Sequence, residues 1–144
     1  MVHVPYRIDG TARADLIAGQ VQVMFANLLT VIGHVRDGHV RALAVTTAAR
    51  SPALPELPTM AETVPGFESS AWFGVGAPKA TPAAVIAILN KEINACLAEP
   101  GLLARLAELG NTPLLFSPGE FGTFIVAETD KWTKVVKFSG ARVN

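Results

Sequence analysis

The sequence predicts an α/β chain made of one parallel lobe, a crossing strand and a helical tail. Three observations predict it. From Val2 to Val45, short apolar runs alternate with amphipathic stretches over short connections, in the order strand, helix, strand, helix, strand. Then Pro52, Pro55, Pro58 and Pro65 forbid a regular element until Gly66, after which Phe67 to Val75 resumes an extended pattern. From Thr81 onward the apolar spacing is mostly helical. A chain that leaves one sheet through such a loop and enters a second strand crosses between lobes, and clefts between lobes bind small molecules.

Val2 to Pro5 is the first expected strand, and Tyr6 to Gly10 the loop that opens at a helix N-terminus, with Thr11 as its cap. Ala12, Leu16 and Ile17 give that helix its apolar side, Arg13 and Asp15 face water, and Gly19 ends it. Val21 to Phe25 is the second strand, leading through Ala26 and Asn27 into a helix, Leu28 to Arg36, that stops at Asp37-Gly38. Arg41 to Val45 is the third strand, and its polar end, Thr46-Thr47, opens into a crevice. Crossovers in such a layer are right-handed.

In the tail, Thr81-Pro82 puts a proline at the first helical position, and Val85, Ile86, Leu89, Ile93 and Leu97 recur at helical spacing. Pro100-Gly101 interrupts, Leu102 to Leu109 forms a short helix capped by Gly110, and Leu114 to Phe116 is a short strand. Ser117 and Glu120 form a capping box for a last helix, Glu120 to Phe138, whose apolar side carries Phe121, Phe124, Ile125, Trp132, Val135 and Val136. Lys131, Lys134 and Lys137 are its solvated face. Residues 1–66 are thus expected to form one lobe, and residues 67–144 the crossing strand and helical part of another. The tail does not complete a second sheet, so it packs back on the first layer or takes sheet partners from another chain. The second arrangement predicts a homo-oligomer with exchanged or edge-paired strands.

The composition, 50% hydrophobic and 17% charged over 144 residues, is that of a globular chain able to bury a core. Twelve basic and twelve acidic side chains cancel, so no general field recruits nucleic acid or an acidic membrane, and any anion is bound locally. No apolar run approaches the ~20 residues of a membrane span. MVHVPYRIDG lacks a basic region followed by an apolar one, so no secretory signal is expected in this chain. The single cysteine, Cys96, excludes an internal disulfide and is expected in the core. His3, His34 and His39 are scattered, and no donor spacing fits a metal. Ser51 lacks a nucleophile-elbow context, Gly74 and Gly76 form no dinucleotide fingerprint, and there is no phosphate loop. Neither a cofactor nor an enzyme is expected.

Ligands of a parallel layer sit beyond the carboxyl ends of its strands, where helix N-termini present unpaired N–H groups. Three turns qualify: Tyr6 to Thr11 (with Tyr6, Arg7, Gly10 and Thr11), Ala26-Asn27, and Thr46-Thr47. Together they offer backbone donors, an amide, hydroxyls, a phenol and a guanidinium able to grip a carboxylate bidentately. The same residue types also simply cap helices and turn the chain. Trp72 and Phe73 suit either a pocket wall or a core, and Trp132 is packing.

VPYR followed by DLIAGQVQVMFAN, then GHVRALAVTTAARSPALPELPTMAETVPGFESSAWFGVGAP, LAELGNTP, SPGEF and KWTKVVKFSGARVN, resembles the extracytoplasmic solute receptors of tripartite tricarboxylate transporters, the Bug-type substrate-binding proteins. The resemblance covers essentially the whole chain but only the carboxyl-terminal half of such a receptor. It implies a periplasmic-binding-protein-like fold of type II, here incomplete, in which two α/β lobes close on a small organic acid, often a dicarboxylate, without chemistry. Val2 to Val45 would be most of the second lobe, Phe67 to Val75 the return strand, and Thr81 to Asn144 the late part of the first lobe. The loop after Tyr6, the Ala26-Asn27 pair and Thr46 would face the ligand. The resemblance further implies a periplasmic parent and a membrane transporter complex as partner, with the cytoplasm open to a chain without a signal. The alternative is a truncated, non-binding relic held folded by self-association.

Overall fold

The computed structural model of the chain describes residues 1–140, so the last four residues of the expected 67–144 segment lie outside it. Five α-helices follow one another: α1 (Asp9–Ile17), α2 (Leu28–Arg36), α3 (Ala83–Leu97), α4 (Pro100–Glu108) and α5 (Pro118–Ser139), with a 3-10 turn at Met60–Glu62 between α2 and α3. The chain divides into two compact units. One holds Met1–Gly74 and Ala104–Thr112, the other Val75–Leu103 and the described residues from Pro113 on.

In the first unit the helix ends are written locally. Asn27 caps α2 by accepting from the Leu29 N–H, and its backbone oxygen accepts from Thr30 Oγ1. α1 begins one turn earlier than expected. Its N-cap is Ile8, whose side chain has no oxygen to offer, and Thr11 lies inside the helix; the entry is supported instead by Asp9 near the positive end of the dipole and its ion pair to Arg13 at 2.9 Å. α1, α2 and α4 all stop on a left-handed glycine: Gly19, Gly38 and Gly110, at φ 74°, 72° and 74°. In each, the next residue's N–H reaches back to the third-last helical carbonyl: Gln20 to Asp15, His39 to His34 and Asn111 to Leu106. Arg36 Nη2 donates to the Glu108 carbonyl at 3.0 Å, so the C-terminal end of α2 meets that of α4.

Among the described residues the buried apolar side chains are few: Ala12 on α1, Ile32 on α2 and Leu54 in the proline-rich loop, joined by Ser51 and Thr59. Each full aliphatic burial contributes about 2 kcal/mol, so this core is thin. The proline-rich segment is not featureless, as the prolines suggested. Thr59 and Glu62 form a complete capping box around the 3-10 turn, and Arg50 forks onto both Glu62 oxygens at 3.0 and 2.8 Å. Glu62 is held below the ordinary carboxylate range, first by the Arg50 hydrogen bond and then by the Thr59 N–H.

In the second unit Pro82 is the N-cap of α3 rather than its first residue, so the helix begins one position later than expected, and Pro100 starts α4, two positions before the expected Leu102. Ser117 and Glu120 form the expected capping box of α5, and Ser117 lowers the Glu120 pKa through side-chain and backbone hydrogen bonds. Asn90 and Asn94 on α3 both donate to the Phe116 carbonyl, at 2.9 and 3.1 Å, and Phe116 lies 5.6 Å from the Phe124 ring. Cys96 is exposed rather than in the core. The sheltered stripe of α3 runs through Ile86, Asn90, Ile93, Asn94 and Leu97, and Cys96 falls beside it. Trp132 is half-buried and donates to Glu128 at 3.0 Å.

The expected strands are the main correction. Among the described residues, Val2–Pro5, Val21–Phe25, Arg41–Val45, Phe67–Val75 and Leu114–Phe116 form no strand ladder, and the backbone pairing is a single parallel bridge between Val45 and Thr59. The physical reason is a lack of neighbours. A parallel strand needs a partner beside it and cover on its faces. Instead Val2, Val4, Val23, Phe25, Leu43, Phe73 and Val75 stand 50 to 88% exposed.

Two predictions follow from the helix stops and capping boxes. A Cβ at Gly110 would run into the Leu28 side chain, whereas one at Gly38 meets nothing within 4 Å. Gly38→Ala is therefore expected to cost only the left-handed backbone penalty, about 1 kcal/mol, and Gly110→Ala about 2 to 3 kcal/mol in urea titrations; equal losses would show that Leu28 yields freely. Secondly, because the Glu62 and Glu120 pKa values are lowered on folding, their stabilisation is complete above the ordinary carboxylate range and is lost as pH falls through the folded values. The melting temperature should drop in that acid window, and the drop should shrink in Glu62→Gln and Glu120→Gln.

Candidate functional site

All eight residues expected to face a ligand belong to the first unit. Tyr6 is half-buried and its hydroxyl donates to Asp15 at 2.7 Å, which ties the loop before α1 to the middle of that helix. The hydrogen bond to the Asp15 carboxylate raises the phenol pKa, with desolvation and the nearby negative charge adding to it, so the group stays protonated at neutral pH. Its proton is thereby committed, and what it offers a ligand is an oxygen acceptor. Arg7 next to it is exposed and makes no ion pair among the described residues. Gly10 and Thr11 occupy the first turn of α1, where backbone N–H groups lack helical partners.

Ala26 and Asn27 lie immediately before α2, both half-buried. The cap uses the Asn27 Oδ1 atom, so the chemistry left to Asn27 is that of the Nδ2 donors, which suit a carboxylate. Thr46 is half-buried; its carbonyl accepts from the Ser69 N–H at 2.9 Å, and Thr47 Oγ1 donates to the Ala49 carbonyl at 2.7 Å. The Thr46 side chain remains available as donor or acceptor.

Sequence reasoning missed the apparatus that fixes this third turn. Val45 N–H donates to the Pro58 carbonyl and Met60 N–H to the Val45 carbonyl, both at 2.9 Å. The capping box at Thr59 and the Arg50 fork hold those two partners in place. A signal was present, since Thr59 and Glu62 have the T-x-x-E spacing of a capping box.

Two shallow concavities occur elsewhere. One of about 390 Å³ lies on α5, around Trp132 and Val136. The other, about 330 Å³, is lined by Val35, Val40, Arg41, Glu56 and Leu57 among others. Neither is lined by an expected ligand residue. No group of His, Cys, Asp and Glu able to hold a metal occurs among the described residues, and no described helix is long and apolar enough to cross a membrane.

Comparison with known proteins places this geometry. Residues 1–141 match the family described as tripartite tricarboxylate transporter family receptor. The backbone superposes on Rpa4515 of R. palustris with adipate at a TM-score of 0.89, with 39% identity, covering 95% of this chain and 46% of that one. The periplasmic binding protein BugD gives a TM-score of 0.86 at 34% identity, over 97% of this chain and 48% of its own. MatC from Rhodopseudomonas palustris with bound malate gives 0.81 at 31% identity, over 92% and 47%. Two curated relatives, 38% and 40% identical, are matched over 97% and 94% of this chain but only 43% and 41% of their own length. The chain thus spans less than half the length of these relatives. It belongs to the tripartite tricarboxylate transporter receptor family.

Proposed function

We propose that this chain is a truncated half of a solute receptor for a tripartite tricarboxylate-type transporter, binding a small dicarboxylate without transforming it. The observation that carries this reading is the backbone likeness, at TM-scores of 0.89 and 0.81, to receptors holding adipate and malate. Both ligands present carboxylates on a short flexible chain, and the first unit offers matching donors. Arg7 supplies a guanidinium fork, Gly10 and Thr11 supply backbone N–H groups at the start of α1, and Asn27 and Thr46 supply an amide and a hydroxyl. Donors of these types are what carboxylate recognition needs. On this reading residues 1–66 are most of one lobe and residues 67–144 belong to the other. The full receptor works in the periplasm and delivers its solute to a membrane complex.

A second reading is favoured by one observation, the amount of surface left uncovered. The chain exposes 10845 Å². A compact monomer of its mass would expose roughly 7,100 Å², and two separate compact halves about 8,600 Å². The excess matches or exceeds a standard protein–protein interface, and the uncovered side chains include Val2, Val4, Val23, Phe25, Phe73 and Val75. On this second reading a second copy of the chain covers that surface, and the chain is a non-binding relic kept folded by self-association.

Adipate titrated into the chain should raise its melting temperature saturably, with about 2.7 kcal/mol of added stability at a hundred times Kd. Arg7→Ala should weaken binding by roughly tenfold or more. Asn27→Asp retains the cap oxygen while setting a negative charge against the ligand, so it should remove binding and spare the melting temperature. No shift with adipate, malate or related dicarboxylates would support the relic. Light scattering should find a dimer or larger assembly at micromolar concentration, and a stable monomer would sink the self-association reading.

A further inference from the structure

Arg50 and Glu62 make a two-point ion pair in the first unit, yet neither was expected to face a ligand. Arg50 Nε and Nη2 donate to the two Glu62 oxygens at 3.0 and 2.8 Å, and Arg50 Nη1 donates to the Pro55 carbonyl at 3.4 Å. Glu62 Oε1 also accepts from the Thr59 N–H at 2.9 Å. Thr59 is 6% exposed and stands in parallel register with Val45, flanked by the bonds from Val45 to Pro58 and from Met60 to Val45. One residue on, the Thr46 carbonyl accepts from Ser69. An unbroken series of short bonds therefore runs from the guanidinium to the turn that carries Thr46 and Thr47.

The pair itself is half exposed, at 49 and 45% of the two side chains, so as an isolated ion pair it adds little to global stability. Its geometry is nevertheless a planar bidentate fork, the arrangement that fixes orientation best. A contact that stabilises weakly and orients strongly serves to hold a local conformation. We propose that Arg50 and Glu62 are positioning residues that hold the Thr46–Thr47 turn in its ligand-binding arrangement, an inference that rests on the dicarboxylate reading above. The fork closes the 3-10 turn, the turn presents Pro58 and Met60 to Val45, and the bridge sets where Thr46 stands. When the fork opens, the turn is correctly placed only part of the time, and apparent affinity falls by that fraction.

The test is a double-mutant cycle on the full chain with two readouts. Arg50→Gln removes the fork. Glu62→Gln removes the charge while keeping an acceptor for the Thr59 N–H, as capping boxes allow. Arg50→Lys keeps the charge without the fork. Adipate affinity is measured by calorimetry, and hydrogen exchange is followed at the Val45, Met60 and Ser69 amides. Arg50→Gln and Glu62→Gln should each raise Kd about tenfold and speed exchange at those amides, with a fall in melting temperature no larger than the acid-window drop that Glu62 contributes. The double variant should be no worse than either single one, because both remove the same contact, and Arg50→Lys should recover part of the affinity. Unchanged Kd and unchanged exchange at the three amides in the single variants would overturn the proposal, as would losses that simply add. If the unsubstituted chain does not bind adipate, the dicarboxylate reading fails on that measurement, whereas the exchange pattern alone then decides whether the fork orders the turn.

Discussion

One parallel bridge, Val45 to Thr59, carries the backbone pairing found among the described residues. Its position explains much of the first unit. The bridge pins the far side of the proline-rich loop against the segment that ends at Thr46, and the loop brings Ser51, Leu54 and Thr59 into the small buried set. With the bridge in place, four prolines no longer describe a wandering connection. They describe a short path whose end is fixed by a capping box and a guanidinium fork. Within the first unit, helix caps, glycine stops and this single clamp mark the course of the chain.

What was legible in the sequence follows the range of the forces involved. α2 runs from Leu28 to Arg36 as its residues prescribe, because Asn27 and Gly38 write both ends within one turn of the helix. α5 starts after Ser117 for the same reason. The starts of α3 and α4 shift by one and two residues, and both turn on where a proline stands. The strands failed differently. Periodicity reports that a segment is fit to pair, but the partner is a non-local fact, and Val2–Pro5 or Phe67–Val75 carry no record of whether one is present. Cys96 shows the same limit on a smaller scale, since which side of an apolar helix is sheltered depends on what packs there.

The candidate site was legible as a set of turns and less so as a set of side-chain roles. Asn27 and Tyr6 are each partly occupied by local duties, one as a cap and the other as a tether to Asp15. Sequence reasoning weighed capping against ligand binding as rivals. In Asn27 they divide between the two ends of one amide, the oxygen serving the helix and the nitrogen remaining for other chemistry. The Arg50 fork was missed because its two members are twelve positions apart across a stretch where prolines dominate the reading.

The glycine stops have a consequence for what fixes the length of a helix. A helix whose limits are encoded by the residues at its own borders does not consult the remainder of the protein to know its length. Residues 27–39, from the asparagine that opens α2 to the histidine whose amide closes it, thus form a self-delimiting cassette. Loss of surrounding packing lowers how often that cassette is formed, since so short a helix is marginal alone, but the signals for its borders stay where they are.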